Sequence, residues 1–578
     1  CGRFPRLVLF HLSALSIEQL VISIKGRSIG GNMFGKLSKG INRINSLSFP
    51  AKLKYGIFFL FVLLVSAVSF FHEPWYDEAQ AWQIARCASV KDILFDIPHY
   101  EGHPPLWHLL LVPFAKSGMP YNFSLSLVNI IFISAAVWVL IFRTKLPDVM
   151  KVTLPFTYFI FYQYGVVSRP YSLMALAVLL CAAFYGSKEE KPLRMVLSLM
   201  LLCASSAYGI VYAFLICLSW LIEMMKGKSF GTFLKELVKS RTFYCLLLLT
   251  AFAVITLLMI LPAKDSLVYA SKEKADISSY LNNYIYTFLI LPYDATIGSV
   301  IIEDCNVFEK SFLNVAYIPF FFISAAIYAL LFITAKKCGR TSLFLPFVLL
   351  PLFFGSIFFF SHHIGLFVLY LIFFICVCFD GNGGFSAGEE ASSVQVICSA
   401  FFYLTIFVQI IWNVTSCALD ISKNYYCSEE IAEYISENDL TDSYILPQGE
   451  VAKNGYCFSC SANAVTTLPY FDRNIYPTYP QGYDTNHKPS ADDLADELSS
   501  VKQLGAPDYI IGILSTKKDD GDSWNTDNTP SLPDDYFDFI FNEASYTTAA
   551  DFESGMIFKG HYIRSYTVIL KRGQIDEQ

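Results

Sequence analysis

Long runs of Leu, Phe, Ile and Val, broken by short polar windows, fill this chain up to about Thr415; beyond that point Asp, Asn, Pro and charged residues return at the level of a water-soluble protein. A bilayer-crossing helix needs about 20 largely apolar residues. The runs predict spans near 53–72, 122–142, 149–167, 170–186, 195–209, 210–225, 242–262, 313–334, 342–360, 364–379 and 394–415. Pro104 to Ala115 is too short to cross and opens on a proline pair, so it reads as an interfacial or re-entrant helix.

The tail has a different rhythm. Ser428 to Asn438 has acidic residues in the first turn of a helix, and Ala491 to Leu504 predicts a second helix. Ser443–Leu446, Ile475-Tyr476, Pro507–Ile513 and Tyr562–Arg572 read as strands, and 516–535 as a loop. The expected fold is a polytopic α-helical membrane protein of about eleven spans with a C-terminal extracytoplasmic mixed α/β domain. Its divisions are 1–52, 53–416 with outer loops 73–121 and 263–311, and 417–578. Residues 1–32, ahead of Met33, lack a consistent period and read as an upstream extension, partly non-native, rather than a folded unit.

Charge sets the orientation. With 104–115 not crossing, Arg143/Lys145/Lys151, Lys188/Lys191/Arg194, Lys226 to Arg241 and Lys336/Lys337/Arg340 all share the side of the basic N-terminal segment. Basic loops stay cytoplasmic, so the N-terminus is expected inside and the C-terminus outside, in a plasma membrane of bacterial type. A net charge of −7 with no dense basic face argues against a nucleic-acid partner. Of the 15 cysteines, Cys181, Cys203, Cys217, Cys245, Cys376, Cys378 and Cys398 lie in apolar runs and read as small hydrophobes.

This topology gathers the chemistry on one face. The adjacent carboxylates Asp77 and Glu78 point in different directions on any regular element, so one can meet a substrate while the other makes a structural contact. A carboxylate beside Trp75 and Tyr76 is suited to general-base work; the plain alternative is a helix N-terminus that favours acidic residues. His99-Tyr100-Glu101-Gly102-His103-Pro104-Pro105 follows, with His103 and His108 at a spacing unsuited to one metal. Trp75, Trp82 and Trp107 suit either interfacial anchoring or a stacking wall for a sugar ring. Arg169, an arginine on the face that the charge rule leaves poor in cations, could bind a lipid-linked phosphate or snorkel to ordinary headgroups. His362-His363 has the same two readings. The lone Cys457-Phe-Ser-Cys460 is no zinc ribbon, and the glycan-type patterns at Asn122 and Asn413 abut spans.

Asp77-Glu78 after the first span, His103-Pro104-Pro105-Leu106, Ser168-Arg169-Pro170-Tyr171 and His362-His363-Ile364-Gly365 together resemble the GT-C membrane glycosyltransferases. The nearest group is the bacterial protein mannosyltransferase and aminoarabinose transferase-like branch. The resemblance covers roughly 53–416, and Ser361 stands where arginine would be expected. It implies inverting transfer of a sugar from a polyprenyl-phosphate donor to a lipid, glycan or protein acceptor at the outer membrane face. Asp77 would be the base with Glu78 beside it, and Arg169, His362 and His363 would meet the donor phosphate. Tyr76, Trp82, His99, Glu101, His103 and Lys264 would contact substrate. No cofactor is called for, no complete metal-ligand set is visible, and a divalent metal is left open. A polytopic transporter or flippase of lipid-linked or polar substrates is the rival reading; it should carry ionisable or broken segments near the bilayer midplane.

Overall fold

The computed structural model describes residues 28–266, 277–303, 307, 310–357, 359–380, 392–447, 462–487, 490–514 and 544–573. The Cys457/Cys460 pair, the 516–535 segment and most of the N-terminal extension lie outside the described residues.

Seven described helices are long and apolar enough to cross a membrane: Ala51–Phe71, Tyr121–Arg143, Ala207–Met225, Arg241–Met259, Val315–Lys337, Ser361–Cys378 and Ser393–Ser422. Serine caps start several of them. Ser206, Ser240 and Ser392 accept from the backbone N–H groups of Gly209, Phe243 and Gln395 at 3.0, 3.3 and 3.3 Å, satisfying donors that a helix start leaves open. Three other expected spans are shorter helices, Tyr171–Ser187, Pro192–Ser205 and Thr341–Ser356. At 1.5 Å per residue a 14-residue helix reaches roughly 21 Å, short of a hydrocarbon core of about 30 Å.

The remaining expected span, 149–167, is interrupted. An α-helix (Asp148–Thr153) gives way to a 3₁₀ turn holding Pro155 and then to π-helix over Phe159–Val166. Proline lacks the N–H that would continue the ladder, and the loosened carbonyls must find donors elsewhere. Asn129 supplies them: its side-chain amide donates to the carbonyls of Tyr164, Gly165 and Val167 at 3.2, 2.9 and 3.3 Å. The expected loop 263–311 is also corrected. It contains helix Ile277–Ile285, π-helix Tyr286–Ile290 and helix Leu291–Thr296, because its brief apolar stretch packs on a neighbour. Asn283 donates to the carbonyls of Phe354 and Gly355, and Tyr284 bonds Ser356 at 2.7 Å.

The helical body has two polar ends. Lys54–Asp148 (2.6 Å), Lys145–Asp380 (2.9 Å) and Lys188–Glu223 (2.9 Å) pair at one of them, where the basic loops meet. His72, Asp77, Arg169, His362 and Asp420 lie at the other.

The C-terminal unit carries a four-stranded sheet in the order β1-β2-β4-β3, with β1 Ile445–Pro447, β2 Tyr509–Leu514, β3 Tyr546–Phe558 and β4 His561–Arg572. β1 and β2 run parallel; β2–β4 and β3–β4 are antiparallel. Ile431, Ile435, Ile445, Ile511 and Ile569 form its core. The expected helices at 428–438 and 491–504 are present as Ser428–Glu437 and Ala491–Leu504. Ile475-Tyr476 is not a strand; both side chains are buried in that core instead. β3 has no counterpart in the sequence reading, because its polar and apolar residues alternate irregularly across a bulge at Thr548/Ala550.

The β3–β4 turn joins this unit to the helical body. Lys559 and Gly560 both have positive φ, 48° and 80°, as a two-residue type I′ hairpin requires. Lys559 is driven into the bundle: its ammonium donates to the Asp294 carboxylate at 2.8 Å and to its carbonyl at 2.6 Å, with both side chains fully buried. Tyr286 and the Val300 N–H also donate to that carboxylate, and Ser416 accepts from the Gly560 N–H at 2.9 Å. Removing one partner of a buried pair costs about 3–5 kcal/mol, because the other charge is left uncompensated. Lys559→Met and Asp294→Asn should each lower the thermal unfolding midpoint in detergent, and the double variant should cost less than the two single losses summed. Additive losses would show that the two residues are not coupled.

Candidate functional site

The first polar window folds into helix Tyr76–Cys87, with Asp77 and Glu78 in its first turn. The two carboxylates diverge at once. Asp77 is partly exposed and its Oδ2 lies 2.7 Å from Nη1 of Arg169. Glu78 is wholly buried.

Arg169 sits in a tight passage between the π-helical segment and helix Tyr171–Phe184. Its guanidinium lies over two rings, 5.5 Å from the centre of Trp75 and 5.4 Å from that of Tyr171, where ring quadrupoles attract it. The His362 ring approaches the same two rings at 6.2 and 6.5 Å, and the His103 ring lies 6.5 Å from Tyr171. Gly365 lets the start of the following helix pack on the π-helical segment: a Cβ there would fall 2.3 Å from Phe159 and from the Tyr164 hydroxyl. His363 is held from two sides. Its Nδ1 accepts from the Phe360 N–H at 3.1 Å and lies 3.1 Å from the Tyr208 hydroxyl. Since a backbone N–H can only donate, the ring proton belongs on Nε2.

Burial, followed by the charges of Arg169, His108 and His362, pushes the His103 pKa down to about 3, so this ring is neutral at physiological pH. The Trp75 indole N–H and His103 Nδ1 are shielded from solvent and have no hydrogen-bond partner among the described residues. The cluster therefore combines a cation, neutral imidazoles and unspent hydrogen-bonding groups beside one accessible carboxylate.

Glu78, expected as a second catalytic carboxylate, is corrected to an anchor because both of its oxygens are engaged. Oε1 accepts from the Ser168 N–H, and Oε2 from the Trp75 N–H at 3.2 Å. His72 Nε2 lies 3.1 Å from Oε2, while its Nδ1 lies 2.9 Å from Asp420. The sequence reading missed His72 and Asp420. The available signal is a histidine closing the first expected span and an acid just beyond the last. Helix Ser393–Ser422 runs past the expected end at 415 and brings Asp420 into reach. Burial alone would lower the His72 pKa, but Asp420 and Glu78 reverse this and raise it to about 10.

A strap from the C-terminal unit covers the helix on its other side. Tyr76 donates to Asp484 at 3.1 Å. Gln80 donates to Glu101 at 3.1 Å and to the Asp484 carbonyl at 3.3 Å, and the Asn486 N–H donates to Glu101. Tyr76 and Glu101 thus border the cluster. Three expected substrate contacts lie elsewhere. Trp82 is 2% exposed and packs on Tyr121 in an apolar core. His99 bonds the Leu261 carbonyl at 2.6 Å, and Lys264 is exposed in the adjoining turn. Among the described residues, no group of three or more His, Cys, Asp or Glu side chains is arranged to hold a metal ion.

Comparison with known proteins finds no matching family model, no matching curated protein and no matching solved structure.

Burial first, and then the nearby Asp77 charge, raise the Glu101 pKa to about 8. A carboxyl whose folded pKa lies above its unfolded value favours the folded state when protonated. That contribution is complete at acid pH and is lost as pH rises through about 8. Glu101→Gln should therefore be more stable than the parent above that pH and should lose less stability as pH rises from the ordinary carboxyl value of 4.5 to about 8. Thermal unfolding in detergent across this range checks it; parallel curves for the two proteins would contradict the assignment.

Proposed function

We propose that this chain is a membrane glycosyltransferase that moves a sugar from a polyprenyl-phosphate donor to an acceptor hydroxyl at the outer membrane face. The observation that carries the reading is the Asp77–Arg169 pair, with Trp75, Tyr171 and His362 around it, at the bundle end opposite the basic loops. The motif resemblance in the first window and at 168–171 supports it. The eleven-span topology, with the N-terminus in the cytoplasm and the C-terminal unit outside, belongs to the same proposal.

The chemistry is a single displacement. The acceptor oxygen bonds to the anomeric carbon as the bond from that carbon to the phosphate oxygen breaks, and the hydroxyl proton passes to Asp77. Arg169 offsets the charge on the departing polyprenyl phosphate, with the His362 and His363 rings beside it. In the unliganded pair Arg169 neutralises Asp77. A donor phosphate competes for the guanidinium, so binding of the donor frees the carboxylate to act as base. Trp75 and Tyr171 keep Arg169 in place during this exchange.

A second reading, transport, is favoured by the two π-helical interruptions at 159–166 and 286–290, since transporters use broken helices. Against it, the Lys54–Asp148, Lys145–Asp380, Lys188–Glu223 and Asp77–Arg169 pairs gather at the two ends of the bundle rather than midway along it. Asp294, close to the second interruption, is occupied by Lys559.

Asp77→Asn should insert and accumulate normally yet lower sugar transfer by roughly 10²–10⁴-fold, the range for loss of a general base. Transfer from labelled polyprenyl-phosphate sugar in purified membranes measures this. Full activity in the variant would remove Asp77 from the mechanism.

A further inference from the structure

We infer that His72 is a positioning residue: held as an imidazolium between Glu78 and Asp420, it fixes the Glu78 side chain and so sets the placement of Asp77 against Arg169. The inference deepens the transferase reading and rests on it for its functional half.

The geometry requires a proton on each ring nitrogen. Nδ1 faces an Asp420 oxygen at 2.9 Å and Nε2 a Glu78 oxygen at 3.1 Å. A neutral imidazole would direct a lone pair at one of these oxygens. The alternative, a protonated Glu78, is opposed by the Ser168 and Trp75 N–H donors, which favour the carboxylate. Among the described residues the site is also faced by the Tyr425 ring, 4.9 Å from His72, by Tyr162 and Cys417 near Asp420, and by Tyr121 and Tyr470 near Glu78; none of these is a cation.

The consequence follows along the backbone. Glu78 immediately follows Asp77, and the Ser168 N–H that it holds belongs to the residue before Arg169. One carboxylate therefore ties together the two segments whose side chains meet at 2.7 Å. Without the His72 donor Glu78 keeps only the Ser168 and Trp75 N–H groups, and the two segments loosen. Asp420 acts through the ring, turning it so that Nε2 meets Glu78.

The test has a spectroscopic arm and a kinetic arm, both on the full chain in lipid nanodiscs. With ¹⁵N-labelled histidine at about pH 8, above the ordinary histidine pKa of about 6.5, one of the nine histidines should show both ring nitrogens protonated. That signal should vanish in His72→Gln. Absence of a doubly protonated histidine in the parent overturns the inference whatever the protein catalyses. In the kinetic arm, with the polyprenyl-phosphate sugar that the parent consumes, His72→Gln should lower kcat roughly 100-fold, the scale of a small misplacement of reacting groups, with little change in donor KM. Asp420→Asn, the milder variant should His72→Gln fail to fold, should lose kcat as pH rises from about 7 to 9 while the parent does not, because one carboxylate holds the ring proton less firmly than two. A parental kcat and pH profile in these variants overturns the positioning role. If the parent consumes no such donor, the transferase reading fails while the spectroscopic arm still decides the charge state.

Discussion

A carboxylate removed from water must be met by donors, and Glu78 is met by three: the Ser168 N–H, the Trp75 N–H and His72. An unpaired charge in that position would be prohibitively costly, so these partners are obligatory and their segments must converge. They are the start of the first polar helix, the passage after the π-helical segment and, through Asp420, the end of helix Ser393–Ser422. Asp77 and Arg169 ride on two of those segments. The Asp77–Arg169 pair is therefore placed by a neighbouring carboxylate whose own oxygens are both engaged.

The same economy governs how the C-terminal unit is attached. Lys559 at a hairpin tip enters the bundle beside Trp412 and meets Asp294, while the strap carrying Asp484 and Asn486 lies along the helix that bears Asp77. These two attachments lie at the end of the bundle that holds the candidate site. The C-terminal unit thereby lies against the helix that carries Asp77 and forms part of the wall beside it.

The helical architecture was legible because a long apolar run has few alternatives to a helix. Seven of the expected spans have the length to cross, and the boundaries of Ala491–Leu504 coincide with the expectation. What escaped depends on tertiary partners. The π-helical stretch at 159–166 needs Asn129 from another helix, and the helices within 277–296 need the packing of Gly355. The candidate site divides in the same way. Asp77 and Arg169 could be singled out by residue type and setting, whereas the different fates of Asp77 and Glu78 depend on a third residue, Ser168, far away in sequence. Trp82 was misread because an aromatic in a polar window has the same sequence appearance whether it faces a ligand or a core. His72 and Asp420, 348 positions apart, carry no joint pattern in sequence.

The central claim is that the accessible carboxylate and its arginine serve sugar transfer from a lipid phosphate. Its most direct measurement offers the purified protein in nanodiscs a panel of polyprenyl-phosphate sugars, together with a membrane extract as acceptor source, and follows release of free polyprenyl phosphate. The account predicts that one donor is consumed with stoichiometric appearance of labelled acceptor. If no donor is consumed across the panel, while the reconstituted protein moves a lipid-linked or polar solute across the bilayer, the account is contradicted.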